Sequence, residues 1–190
     1  MEQALGWLDG GWGVALLCVL VLLAIGWYLS YLAARLDRLH HRVETSRAAL
    51  ETRLARRAAV ALEVSRLLPP PMGEQLRLAA SRLARAPDAP VSEASENLLA
   101  RVLHQAFDEP ARVRGLRADP AGGELLDELV LAGERVRLAR RFHNDAVAHA
   151  QRMRRKRVVR WARLAGTAKM PQMVEIDDSS PEGLTWQPAA

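Results

Sequence analysis

The chain has 190 residues, 27 Lys+Arg against 22 Asp+Glu and a formal charge of +5, a length that holds one ordinary globular domain and argues against a multidomain protein. Ala and Leu supply 32 and 30 positions while Phe and Tyr supply two each, so aromatic residues are too scarce for an all-β fold and the composition is that of helices. A single cysteine, Cys18, excludes an intrachain disulfide and a cysteine-based zinc site.

Near the start, Glu2 and Asp9 are followed by 25 residues without a charge, from Gly10 to Ala34. At about 1.5 Å per residue this run exceeds the ~30 Å hydrocarbon core of a bilayer. Trp12 at one end and Trp27, Tyr28 and Tyr31 at the other stand where interfacial aromatic side chains belong. Residues 12–32 are therefore expected to form a transmembrane helix. A cleaved secretory signal fits less well, because such signals open on a basic segment and have an apolar core of roughly 7–15 residues. Arg35, Arg38 and Arg42 follow the run and no basic residue precedes it. Since basic flanks stay in the cytoplasm, the expected topology is a single-pass cell-membrane protein with residues 1–11 outside and the rest in the cytoplasm.

From Leu36 the positions Leu36, Leu39, Val43, Ser46, Leu50, Leu54, Ala58, Ala61, Ser65 and Leu68 recur at steps of three or four, with charged residues on the other faces. This is one amphipathic stripe. No Gly or Pro separates it from the apolar run, so the spacing predicts one rod from about residue 12 to Leu68, ended by Pro69-Pro70-Pro71. A shorter helix is predicted near 73–86, followed by a break at Ala86 to Pro90. Ser92 is a suitable N-cap for a third helix near 93–107. Residues 108–121, with Pro110, Gly115 and Pro120, are expected to be the main loop.

The fourth predicted helix has Asp119 as N-cap and Pro120 at its first position. Leu125, Leu129, Ala132, Val136, Ala139, His143, Ala146, Ala150 and Met153 then alternate at steps of four and three, an unbroken heptad seam. Its small residues suit close approach of another helix, the rod of residues 36–68. The helix is expected to run to about Leu164, where Gly166 can end it. The fold class expected is all-α: an N-terminal transmembrane helix continuing into an antiparallel bundle of about four helices over 33–166. Residues 167–190 read as a flexible, disordered tail with one extended patch, Met173 to Ile176.

The run from Glu134 through Ala139-Arg140-Arg141-Phe142-His143-Asn144-Asp145-Ala146-Val147 resembles the signature of the LemA family, whose last bundle helix carries Ala-Arg-Arg-Phe-aromatic-Asn-Asp-x-Val. Arg42-Val43-Glu44 through Leu50, Leu54 and Arg56-Arg57 is similar to the family's first-helix pattern behind its membrane helix, and Val174-Glu175 is similar to the family's terminal Phe-Glu. Arg47 stands where the family has Trp, Ala59-Val60-Ala61-Leu62 replaces Asp-Leu-Ile-Pro, and His143 replaces Tyr. The chain thus resembles a divergent member. The resemblance implies a membrane-anchored antiparallel helical bundle and assigns no biochemical activity.

No phosphate-binding glycine loop, HExxH or GxSxG motif is present in the sequence, so no enzyme, cofactor or small-molecule substrate is expected. His143 and His149 are six apart and His40-His41 adjacent, neither being a one-face metal pair on a helix. His143 reads as a polar member of the seam, hydrogen-bonded to a neighbour. Arg140 with Asn144 and Arg141 with Asp145 have i,i+4 spacing, and with Arg56 and Arg57 they are expected to knit a polar layer of structural character. The expected function is a membrane-tethered interaction scaffold with a protein partner. The alternatives are an adaptor for a membrane enzyme such as a quality-control protease, and nucleic-acid binding, which the basic segment disfavours because only Trp161 interleaves there.

That segment carries Arg152, Arg154, Arg155, Lys156, Arg157, Arg160 and Arg163 beside Trp161. A first helix rising from the bilayer near Ala34 to Leu68 makes a bundle ~50 Å tall, and an antiparallel helix starting near Ala121 returns to the membrane near Arg155. These eight residues are therefore expected to contact the anionic lipid surface.

Overall fold

Helix α1 (Gln3–Val64) carries the uncharged run and the amphipathic stripe without a break, as a stretch free of Gly and Pro from Trp27 to Leu68 should. The computed structural model describes residues 3–84, 92–162, 164, 166 and 169–185. A 3-10 turn, Ser65–Leu67, ends the rod ahead of the prolines. The other helices are α2 (Met72–Ala84), α3 (Glu93–Phe107), α4 (Pro110–Arg117), α5 (Pro120–Arg154), α6 (Arg157–Trp161) and α7 (Glu182–Thr185). Among the described residues there is no strand, so the chain is all-helical, with one N-terminal helix long and apolar enough to cross a membrane. The expected break at Ala86 to Pro90 lies outside the described residues.

Where length argued for one domain, the chain divides into two units: Met1–Arg42 with His149–Pro171, and Val43–Ala148 with Gln172–Ala190. The stripe on α1 supplies the reason. Between Leu39 and Leu50 its inward positions are Val43 and Ser46, neither fully buried, so apolar packing along α1 thins at the boundary.

In the second unit the main core joins Ala58, Ala61 and Val64 of α1 to Leu76 and Ala80 of α2, Leu99, Leu103 and Phe107 of α3, and Leu126 and Leu129 of α5. A smaller cluster joins Leu50 and Leu54 to Val136, with Val174 and Ile176 against them. On α5 the seam positions Leu129, Ala132, Val136, His143, Ala146, Ala150 and Met153 are buried, Leu125 and Ala139 are half-buried, and Leu126 and Val147 widen the buried face. In the first unit Leu32 and Leu36 of α1 pack against Met153 and Val159.

Three expectations need correction. The supposed loop 108–121 contains α4, with Pro110 at its first turn and Arg112 donating to the Ala106 carbonyl at 2.8 Å; Pro110 and Gly115 mark a helix start and a tolerated interior position rather than a loop. The last long helix ends at Arg154, not Leu164. Continuing the seam past Met153 would present Arg157 and Arg160 to an apolar face. Instead Lys156 is extended (φ −62°, ψ 136°), and α6 restarts with Val159 turned inward, 1% exposed. Gly166, at φ 54°, takes the left-handed conformation that follows a helix end.

The third correction concerns the tail. Residues 171–185 are not a free chain: they run extended and then form α7, with Val174, Ile176 and Leu184 buried. At Gly183 a β-carbon would meet the Phe107 carbonyl and, at 3.0 Å, Val113, so a residue without one lets the strap close onto α3. Residues 186–190 lie outside the described residues.

Candidate functional site

The residues expected to form one polar layer serve separate purposes. Arg56, exposed, pairs with Glu128 of α5. Arg57, one position on and therefore turned about 100° around the helix, is buried and donates to Glu96 of α3 at 2.7 Å. Its Nε has no hydrogen-bond partner among the described residues. Arg140 and Asn144 do not pair with each other. Arg140 donates from Nε and Nη2 to the two carboxylate oxygens of Asp178, at 2.7 and 3.0 Å. The Asn144 amide donates to the Val174 carbonyl at 3.1 Å and accepts from the Val174 N–H at 2.9 Å. Arg141 and Asp145 are exposed.

Sequence reasoning missed the groups that complete this arrangement. Glu93 and Asn97, four apart on α3, accept from the backbone N–H of Glu175 at 2.9 Å and of Asp177 at 2.7 Å. Asp108 accepts from the N–H of Glu182 at 3.1 Å. Asp177 accepts from both the N–H and the hydroxyl of Ser179, and that hydrogen bonding, foremost, holds its carboxyl below the usual carboxylate range. The available signal was the pairing of an acidic tail, with four acids and one Lys from 166 onward, with an otherwise basic chain.

His143 lies beneath the same segment, 1% exposed, with Nδ1 3.1 Å from the Ser46 hydroxyl. That hydroxyl also donates to the Val43 carbonyl at 2.9 Å. Nε2 is buried without a partner among the described residues. The expected hydrogen-bonded seam histidine is what is found. Burial first, and Arg47 second, hold its pKa below the ordinary imidazole value, against the opposing pull of the Gln172 and Val43 backbone and of Glu51. A base whose folded pKa is lowered binds protons more readily when unfolded. Its stabilising effect is complete above about pH 6.5 and is lost as pH falls through the depressed folded value. The melting temperature of the full chain in detergent should therefore drop on going from pH 7.5 to pH 5, and the drop should shrink in His143→Gln. Equal drops in both proteins would assign the effect elsewhere.

In the first unit the basic turn follows from the break after Arg154. Arg152, Arg155, Lys156, Arg157 and Arg160 are exposed, and Trp161 is 84% exposed. Arg154 is half-buried and donates to the Lys169 carbonyl at 2.7 Å. Arg163 lies outside the described residues. Val159 anchors this turn on Leu32 and Leu36, where the uncharged stretch of α1 ends. On that stretch the side chains from Trp12 to Ser30 are exposed or, at Leu29, half-buried, and Trp27 and Tyr31 stack with ring centroids 6.4 Å apart.

Among the described residues no group of three or more His, Cys, Asp or Glu side chains could hold a metal. No protein family, curated protein or solved structure matches the chain.

Proposed function

We propose that the chain is a membrane-anchored, non-enzymatic interaction scaffold of the LemA type, an antiparallel bundle of about four helices tethered by α1. In this reading residues 12–32 cross the cell membrane once, residues 1–11 lie outside and the helical units lie in the cytoplasm. The observation that carries it is the juxtaposition at the end of the apolar run: side chains that no protein covers give way, within one turn, to Leu32 and Leu36, onto which the basic turn is packed. Uncovered apolar residues along a helix of this length suit lipid. Exposed Arg residues with an outward Trp at its cytoplasmic end suit anionic headgroups, at about 1 kcal/mol per basic side chain. The family reading is supported by the use of the motif, since Arg140 and Asn144 both grip the strap.

The test uses the full chain. A reporter active only outside the cytoplasm, fused after Ala190, should be silent. In nanodiscs, a chain with Trp161 as its only tryptophan should show blue-shifted emission with anionic lipid and less shift with neutral lipid or high salt. Strong reporter activity would overturn the topology. Emission indifferent to lipid charge, or unchanged by Arg155→Gln, Arg157→Gln and Arg160→Gln together, would overturn the membrane-surface role.

A further inference from the structure

The strap is held in an unusual way for a piece of a helical fold. Its N–H groups at positions 174, 175 and 177 and its carbonyl at 174 are all met by side chains of α3 and α5, namely Asn144, Glu93 and Asn97. Such contacts recognise an extended backbone and are indifferent to the side chains it bears. Selectivity then rests on three positions. Val174 and Ile176 enter the apolar cluster around Leu50, Leu54 and Val136, and Asp178 receives the two-pronged guanidinium of Arg140. Glu175 points to solvent.

We infer that this groove is a docking site for an extended peptide segment of a partner protein with the pattern apolar-x-apolar-x-acid, and that residues 174–178 are its resident occupant in cis. The same division of labour, backbone hydrogen bonds for affinity and alternate side chains for specificity, governs peptides recognised in extended form. Charge complementarity fixes the partner's chemistry. The groove offers a bidentate Arg, and the resident segment carries acids at 175, 177 and 178, so the displacing peptide is acidic. The strap becomes a built-in competitor that a partner of this pattern must outbid, which lowers apparent affinity by the fraction of time the groove is closed. This supplies the partner chemistry for the scaffold and rests on that reading only for its biological use. The binding itself is measurable without a membrane.

The experiment uses the purified full chain in detergent and a fluorescent peptide of the sequence Met170 to Thr185 as probe. The wild-type chain, its groove occupied, should bind the probe weakly. A chain opened by Val174→Asp with Ile176→Asp should bind it saturably and at least tenfold more tightly. Adding Arg140→Gln to the opened chain should cost about tenfold, as should Asp178→Asn in the probe, and the two changes together should cost little more than either alone. A second chain, carrying only Asp178→Asn, keeps both apolar contacts and should bind the probe at an intermediate level. If the opened chain loses its helical circular dichroism and the Asp178→Asn chain takes up no probe, the strap is a fixed part of the core and the proposal is overturned. Binding unaffected by Arg140→Gln overturns it as well. A wild-type dimer that the probe dissolves would overturn it in favour of strap exchange between two copies. None of these outcomes bears on the reporter assay, so failure of the groove and failure of the anchor remain distinguishable.

Discussion

Replacing Arg57 by Ala should destabilise the full chain by about 3–5 kcal/mol, a large share of the stability of a domain this size. Arg57 and Glu96 are 4% and 3% exposed and meet at 2.7 Å, so both charges have left water and each depends on the other. Taking away the guanidinium leaves a carboxylate inside the core joining α1, α3 and α5 with no counter-ion. Taking away both charges is a different matter: Arg57→Met with Glu96→Leu fills the space without a charge to desolvate and should recover most of the loss. Denaturant unfolding in detergent, followed by circular dichroism, reads both. A cost for Arg57→Ala no greater than about 1 kcal/mol, the scale of an exposed pair, would show that the site is wet. Arg56 is the built-in comparison, since its partnership with Glu128 is exposed and Arg56→Ala should cost well under 1 kcal/mol.

Val136→Asp should be comparably severe, about 3–5 kcal/mol. Val136 is fully buried in the cluster that takes Leu50 and Leu54 on one side and the strap on the other. A carboxylate there has no partner, and it should both lower the unfolding midpoint and release residues 171–185 to proteases. Leu138→Asp, two positions along on a side chain 52% exposed, should change stability by no more than about 0.5 kcal/mol. If the two substitutions behave alike, the seam is not the packing face of α5.

Periodicity made the long elements legible. The stripe from Leu36 to Leu68 and the alternation from Leu129 to Met153 are each a purely local pattern, and both faces are buried except at Leu39, Val43, Ser46 and Ala139, which are half-buried. The capping residues were legible too: Ser92 accepts from the Ser95 N–H at the start of α3, and Pro120 opens α5. The end of α5 was missed because helix-forming residues continue to Leu164, and only the question of which side chain faces Leu32 and Leu36 shows that the helix must break before Val159. The non-helical patch from Met173 to Ile176 was legible, but the docking of the strap was missed for the opposite reason. A stretch rich in Pro, Ser and acids has no periodicity of its own, and its order comes from side chains as much as 82 positions away. The site residues Arg140 and Asn144 were found, yet their partners were sought one turn along the helix, at distances sequence can see, when they lie on another segment.

The strap also sets an order of events during biosynthesis. Val136 covers Leu50 and Leu54 in part, and their apolar cover is complete only when Val174 and Ile176 reach them. At about 5–20 residues per second of synthesis, Val174 follows Leu50 roughly 6–25 s later. Until then the middle of α1 keeps an incompletely covered apolar edge, within reach of whatever chaperone or neighbouring polypeptide attends the ribosome.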